Sequence, residues 1–258
     1  MKRQALRVLL VLIALTLTSC ITTQNNTITQ VSTIDAILAG AYDGCTSLHD
    51  LSEYGDFGIG TFDALDGEMV LLDGRYYQIK GDGTVCIPDR DVLTPFASVA
   101  AFESECTTDL PKATDYDALK RIVDREVPNM NLFCAVKVTG TFTAVKTRSV
   151  PAQQKPYPPL VEVTRHQSVF DLTDVTGTIV GFRSPSYVKG INVPGYHLHF
   201  ISEDGRTGGH LLDFRLQEGS AHLDICTRFF MILPEGDGDF GRIDFSRDRT
   251  GDLQEAEN

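Results

Sequence analysis

The sequence predicts an α+β fold made of two sheet-based domains with few helices. Short runs in which apolar and polar residues alternate recur along most of the 258-residue chain, as is typical of strands. Turn-forming pairs such as Asp66-Gly67 and Asp73-Gly74 separate several of these runs and favour tight antiparallel hairpins. Helical spacing of apolar residues is clear in only one segment, so a regular alternation of strand and helix is not expected.

The chain opens with a predicted export signal. Lys2 and Arg3 precede an apolar run over residues 6–17 that is short for a transmembrane helix. The next residues, Leu17-Thr18-Ser19-Cys20, resemble a bacterial lipobox, in which cleavage leaves the cysteine as the lipidated first residue. An ordinary secretory signal or an uncleaved anchor would also export the protein.

We therefore expect residues 1–20 to be a lipoprotein signal peptide. Lipid on Cys20 would anchor the mature protein to a membrane, on the periplasmic or cell-surface side. Residues 21–32 are polar and rich in Thr, Gln and Asn, a composition that predicts a tether between the anchor and the fold.

Residues 33–150 are predicted to form the first, β-rich domain. A short helix or turn is expected at residues 33–38, and a second short helix at residues 47–53 with Ser47 as its N-cap. An antiparallel meander follows. Its strands are predicted at residues 57–62, 68–72, 75–79 and 84–87. The clearest helix follows residues 114–117, where capping and acidic residues precede Leu119, Ile122 and Val123 at helical spacing.

Residues 151–258 are predicted to form the second domain, which is also β-rich. Residues 131–147 are predicted to be rich in strand and to end the first domain, and the proline-rich segment 149–159 is predicted to be the linker between the domains. The strands of the second domain are expected at residues 161–164, 175–182, 195–201, 209–217 and 222–233.

The charge composition argues against a nucleic-acid-binding function. The formal net charge is -12, and no cluster of Lys and Arg follows the first few residues, which argues against nucleic acid as a partner. A small-molecule substrate is expected instead.

Beyond Cys20, five cysteines remain at positions 45, 86, 106, 134 and 226. No CxxC pair occurs among them, so a cysteine zinc site is not expected, and we interpret most of them as buried small apolar residues.

The strongest chemical pattern is a set of three histidines. Side chains two apart on a strand share a face, so His197 and His199 can converge, and a hairpin over residues 202–209 can return His210 to the same place. Three neutral imidazoles without an obvious fourth protein ligand are typical of a catalytic zinc site with one open position. The chain thus predicts a Zn²⁺ centre at His197, His199 and His210.

Two alternatives to this ligand set remain open. A histidine pair on a strand is also common as an ordinary core or hairpin feature. His222, which alternates with Asp224 on a predicted strand, is the nearest rival as a ligand or as a partner of one.

Three segments resemble the α-acetolactate decarboxylase family. They are residues 58–68 (GIGTFDALDGE), residues 146–151 (KTRSVP), and residues 195–200 (GYHLHF) with the following Gly208-Gly209-His210. The resemblance extends over residues 33–252, which is nearly all of the mature chain.

The resemblance implies a two-domain fold with large mixed sheets, a zinc ion, a possible homodimer, and conversion of (S)-2-acetolactate to (R)-acetoin and CO₂. It implies His197, His199 and His210 as the metal ligands. Arg148, Glu68 and Thr61 then match active-site positions. A glutamate from the C-terminal tail is also implied, and here we favour Glu257 over Glu255.

The chemistry of the reaction explains these residue types. Loss of CO₂ from a 2-hydroxy-3-keto acid leaves electrons that must flow into the ketone, and a metal acting as a Lewis acid stabilises that charge. An arginine fork can hold a carboxylate, and a carboxyl group can deliver a proton. Two other functions fit the same residues: a noncatalytic metal-containing lipoprotein that binds a small hydroxy-keto acid, and a three-histidine zinc hydrolase or hydratase.

Overall fold

The computed structural model describes residues 25–236 and 238–257. The predicted signal peptide, with Cys20, lies outside these residues. In the described part the chain forms fourteen strands, which are β1 (Thr27–Val31), β2 (Thr46–Ser47), β3 (Phe57–Thr61), β4 (Glu68–Leu72), β5 (Arg75–Ile79), β6 (Val85–Cys86), β7 (Leu93–Thr94), β8 (Ala97–Ala100), β9 (Cys106–Asp109), β10 (Phe133–Ser149), β11 (Ser168–Ser184), β12 (Gly195–Ser202), β13 (Gly208–Cys226) and β14 (Arg228–Ile232).

Few helices accompany the strands, as predicted. They are α1 (Ile34–Leu38), α2 (Leu48–Leu51), α3 (Tyr116–Glu126), α4 (Leu160–Thr164) and α5 (Thr250–Glu257), with short 3₁₀ turns at Asp63–Leu65, Ser186–Val188 and Asp239–Arg242. Side chains of Thr33, Ser47 and Asp115 cap the first three helices by accepting a backbone N–H. Within the described residues, no helix is both long enough and apolar enough to cross a membrane.

The first large sheet is mixed and seven-stranded, in the order β14-β1-β8-β3-β4-β5-β6. The pair β1 and β14 is parallel, and the other neighbours are antiparallel. The hairpin between β3 and β4 places Glu68 opposite Thr61.

The second large sheet is antiparallel and contains β10, β11, β12, β13 and β9 in that order. Strand β13 also pairs with β10, so β10 to β13 close into a ring of four strands. The interior of this ring and the inner face of α3 share one apolar core, to which Phe142, Leu198, Phe200 and Phe214 contribute. The remaining strand, β9, extends the sheet beyond β13.

The two sheets pack against each other through a second core. Ile59, Val70 and Ile79 of the first sheet share it with Phe182 and Ile201 of the second. Because side chains alternate along a strand, Glu68 lies on the same face of β4 as Val70, and His197 and His199 lie on the same face of β12 as Ile201. The inter-sheet face is therefore where the predicted site residues meet.

The structure corrects the predicted tether. Thr27–Val31 is a fully buried strand within the first sheet, paired with both β14 and β8. Its residues TITQV are polar in part, but Gln30 and Thr29 are wholly buried, and Gln30 donates to the carbonyls of Ser32 and Ile191. Polar composition indicated a solvated tether, whereas strand pairing on both sides and the Gln30 amide hydrogen bonds hold this segment inside the fold.

The predicted boundary near residue 150 does not separate the two sheets. Strands β9 and β10 precede it and belong to the second sheet, while β14 follows it and pairs in the first. The segment predicted as a linker is fastened to the first part of the chain, because the Tyr42 hydroxyl donates to the Pro158 carbonyl and the Gln153 N–H donates to that of Ala64.

One predicted strand is wrong. Residues 161–164 lie in helix α4, which begins after Pro159. The valines there suggested a strand, but the preceding proline favours a helix start, and Leu160 and Val163 pack toward α1 and α5.

Candidate metal centre and active site

The predicted hairpin brings the three histidines together. Strands β12 and β13 pair so that His199 lies opposite His210, and His197 precedes His199 by two residues on the same face. One ring nitrogen of each histidine lies within 4.8 Å of those of the other two. Within the part of the chain that the structure describes, these three residues form the only such group of potential ligands.

Hydrogen bonding fixes the tautomer of His199. Its Nδ1 lies 2.8 Å from the backbone carbonyl oxygen of Met69, so Nδ1 carries the proton and donates, and Nε2 presents a lone pair to the cluster. This Nε2 is buried and has no hydrogen-bond partner among the described residues. A buried acceptor without a donor is costly, and a metal ion bound there would satisfy it. The three imidazoles thus fit a Zn²⁺ ion with an open fourth position.

Burial keeps the three imidazoles neutral. It lowers the pKa of His197 to about 3, and the positive charge of Arg148 contributes to the decrease. The pKa values of His199 and His210 are likewise lowered far below the usual value by burial. Neutral imidazole is the form that binds a metal.

Glu68 faces the cluster from the first sheet. Its Oε2 lies 3.5 Å from Nε2 of His199. Burial raises the pKa of Glu68 to about 7, the nearby Arg148 lowers it and the Glu257 carboxylate raises it further. A carboxyl group with a pKa near neutrality can either hold or release a proton at physiological pH.

Arg148 lies beside the histidines because of the closed strand ring. It pairs with His210 across β10 and β13 and is 4% exposed. Its Nη2 donates to the Ala256 carbonyl at 2.8 Å, while its Nε has no hydrogen-bond partner in the described structure. A buried guanidinium with a free N–H can bind a carboxylate.

Helix α5 brings a second carboxylate to the site. Oε2 of Glu257 lies 3.8 Å from Nε2 of His210 and 4.0 Å from Nε2 of His197. Burial raises the pKa of Glu257, and Arg148 opposes the increase. Glu255 points away and forms an exposed ion pair with Arg165, so of the two tail glutamates Glu257 lies at the cluster.

Thr61 touches the turn before Glu68. Its Oγ1 donates to the Gly67 carbonyl at 2.7 Å, and Gly67 has a φ of +85° that favours glycine. The hydroxyl therefore fixes the turn that presents Glu68.

An open cleft of about 1310 Å³ leads to the site. Its lining includes His210 and Glu257 of the site together with Tyr116 of α3, Tyr196 of β12 and Leu253 of α5. A small polar substrate can reach the histidines through this cleft.

His222 lies outside the histidine cluster. Its ring nitrogens are hydrogen-bonded to Thr107 Oγ1 and Ser220 Oγ, both at 3.1 Å. Thr107 belongs to β9, which pairs with β13 beside His222. The cysteines also differ from expectation, since only Cys134 and Cys226 are buried among the five free cysteines described.

Sequence reasoning missed the backbone groups of the site. The Met69 carbonyl orients His199, and the Ala256 carbonyl binds Arg148. Carbonyl groups occur at every residue, so no sequence signal distinguishes these two. Tyr116 could have been suspected only as an aromatic residue in the first turn of the clearest helix.

Comparison with known proteins gives a consistent result. The family model for alpha-acetolactate decarboxylase matches residues 28–247. The chain is 51% identical over 228 residues to alpha-acetolactate decarboxylase of Methanosarcina mazei, covering 88% of this chain and 79% of that protein. It is 43% identical over 235 residues to the Methylococcus capsulatus protein of the same name, covering 91% and 90%.

A solved structure has the same fold. The crystal structure of alpha-acetolactate decarboxylase from Bacillus subtilis strain 168 superimposes with a TM-score of 0.87 at 37% identity, covering 90% of this chain and 99% of that one. The chain therefore belongs to the alpha-acetolactate decarboxylase family.

Proposed function

We propose that this protein converts (S)-2-acetolactate to (R)-acetoin and CO₂. The observation that carries the proposal is the convergence, in a member of this family, of His197, His199 and His210 with Arg148 and two carboxyl groups. Metal-stripped protein resupplied with Zn²⁺ should release acetoin from acetolactate. Absence of acetoin from folded, zinc-loaded protein would refute the proposal.

The three histidines would hold the metal, for which we propose Zn²⁺. When bound, this ion supplies Lewis-acid stabilisation of the charge that develops on the ketone oxygen as CO₂ leaves. Neutral imidazoles, their mutual proximity and the unpartnered Nε2 of His199 support the assignment.

Arg148 is proposed to bind the substrate carboxylate. Its guanidinium is buried, is anchored through Nη2 and retains a free Nε–H. Fixing the carboxylate orients the bond that breaks, and the apolar surroundings strengthen the charge-assisted hydrogen bond.

Glu68 and Glu257 are proposed to hold and deliver the proton that replaces CO₂ on the substrate carbon. Burial favours the protonated form of both groups, and they reach the histidine cluster from different elements. Delivery from one side would determine the configuration of acetoin. Thr61 is proposed to act on Glu68 through the Gly67 carbonyl.

Two other functions predict different results in the same experiment. A noncatalytic binding lipoprotein would bind metal and a hydroxy-keto acid without releasing CO₂. A zinc hydrolase or hydratase would hydrolyse esters or hydrate CO₂ without decarboxylating acetolactate.

We also propose that the protein is exported and anchored through lipid on Cys20. The Leu17-Thr18-Ser19-Cys20 pattern supports this, as does the start of β1 at Thr27, which leaves a short connection after the cysteine. Metabolic labelling with an alkyne fatty acid should mark the wild type and not Cys20→Ser.

A homodimer is proposed on the strength of an exposed edge strand. β14 lies at the edge of the seven-stranded sheet, and Phe229 and Phe230 on it are 36% and 48% exposed. Such an edge favours pairing with another strand. Sedimentation should show a dimer that Phe230→Lys dissociates, whereas Ile87→Lys at another exposed position should not.

A further inference from the structure

Arg148 lies between two wholly buried hydroxyl residues on β10. Thr147 and Ser149 are both 0% exposed. Because side chains alternate along a strand, both point to the face opposite the Arg148 side chain. Hydrogen bonds made by these two hydroxyls therefore position the β10 backbone on either side of Arg148.

The two hydroxyls bind to different parts of the site. Thr147 Oγ1 donates to the Gly208 carbonyl at 2.9 Å, at the start of the strand that carries His210. Ser149 Oγ donates to the Ile79 carbonyl at 2.7 Å. The second bond crosses from the second sheet to the first.

Ile79 lies directly opposite Glu68, because the two residues are pairing partners across β4 and β5. The Ile79 carbonyl also lies against Gly67, so closely that a Cβ at residue 67 would clash with it. The acceptor of the Ser149 bond thus packs against the turn that presents the Glu68 carboxyl.

Two residues of the first sheet also bind this turn. Thr61 donates to the Gly67 carbonyl, and Gln78 Nε2 donates to the carbonyl and the carboxylate of Asp66. These bonds shape the turn from within the first sheet. The Gln153 N–H also donates to the Ala64 carbonyl in the same turn, whereas the Ser149 bond joins β10, directly after Arg148, to Ile79 opposite Glu68.

We propose that Ser149 is a positioning residue for the decarboxylation, whose hydroxyl sets the distance between the Arg148 guanidinium and the Glu68 carboxyl. Ser149 does not touch the substrate. This inference rests on the proposed function, in which Arg148 holds the carboxylate and Glu68 the proton.

Kinetics of Ser149→Ala provide the first test. We expect kcat/KM to fall about tenfold, because small displacements of reacting groups are costly, and the Kd for Zn²⁺ to stay within about twofold because the ligands keep their supports. Thr147→Val should instead weaken zinc binding. Thr114→Val, a buried hydroxyl that donates to the Pro111 carbonyl, should change neither.

A double-mutant cycle separates positioning from a general structural role. In a Glu68→Gln background, Ser149→Ala should cause less than about a twofold further loss, since the group it positions is gone. Equal losses in the two backgrounds would overturn the proposal, as would loss of zinc binding in Ser149→Ala alone. If Ser149→Ala does not fold, Ser149→Cys, with a weaker donor, is tested in its place.

Hydrogen exchange gives a readout that does not depend on turnover. Amides of residues 65–72 should exchange about fivefold faster in Ser149→Ala than in the wild type or Thr114→Val. Unchanged exchange would overturn the proposed link between Ser149 and the Glu68 turn. A wild type that releases no acetoin would instead refute the proposed function, while the exchange result still decides the link.

Discussion

Burial shifts the pKa values of the carboxyl groups and of the histidines in opposite directions. It raises the pKa of Glu68 to about 7 and also raises that of Glu257, while it lowers the pKa of His197 to about 3. In each case the neutral form is favoured, because a buried charge loses its hydration. The site therefore combines neutral imidazoles that could bind a metal with carboxyl groups that can carry protons.

Single substitutions should separate metal binding from substrate binding. His199→Ala should lose both zinc and activity, because it removes a ligand together with its bond to the Met69 carbonyl. Arg148→Ala should retain zinc and lose at least about 100-fold in kcat/KM. Metal content by elemental analysis and acetoin release measure the two effects. Full activity of Arg148→Ala would contradict its proposed role.

Thr61→Val should have a smaller effect. It removes the hydrogen bond to the Gly67 carbonyl, which is worth about 1 kcal/mol of stability, and loosens the turn before Glu68. We expect several-fold lower kcat with unchanged zinc content, measured by steady-state kinetics and denaturant unfolding. Loss of zinc in this variant would argue against a role through Glu68.

At the scale of elements, the C-terminal helix completes the site. Helix α5 packs on α4 and α1 through Leu253 and Ala256. Its last turn supplies both the Glu257 carboxylate and the carbonyl that anchors Arg148. The helix has eight residues, too few to be stable alone, so its packing positions these groups.

Truncation after Leu253 tests the helix. We expect activity to fall by at least about 100-fold while zinc is retained, since a positioned acid contributes roughly 10²- to 10⁴-fold and the histidines lie elsewhere. Glu255→Gln is the matched control. It breaks only the exposed pair with Arg165, which contributes at most about 1 kcal/mol. Undiminished turnover after truncation would exclude Glu257 from the reaction.

At the scale of the whole molecule, the site lies where the two sheets meet. Glu68 belongs to the first sheet and the three histidines to the second. A metal bound by the second sheet and adjacent to the first favours the packed state over the unfolded chain.

Zinc should therefore stabilise the fold as a whole. At a free concentration of about 1,000 times its Kd, it would add about 4 kcal/mol, which for a chain of this size is a rise of roughly 10 °C in Tm. Calorimetry of metal-free and zinc-loaded protein measures the shift. His222→Ala should show the same rise in Tm on zinc binding, and His210→Ala should show none. A shift that depended on His222 would contradict the assigned ligand set.

Local elements were largely predictable from the sequence. β4 and β5 begin and end where the sequence predicted, and capping residues located α2 and α3. These predictions depend on side-chain alternation, glycine turns and caps within a few residues. Residues 27–31 and 161–164 were misassigned because their environment comes from distant parts of the chain.

The three histidines, their shared face and the hairpin that joins them could be predicted from local sequence, because two-residue spacing and a glycine-bounded turn are local properties. The groups that surround them could not, since they come from tertiary packing. Arg148 reaches His210 through the closed strand ring, Glu68 arrives from the other sheet, and α5 presents Glu257 and turns Glu255 outward. The positions of these side chains relative to the histidines depend on the packing of segments far apart in the chain, which no local pattern encodes.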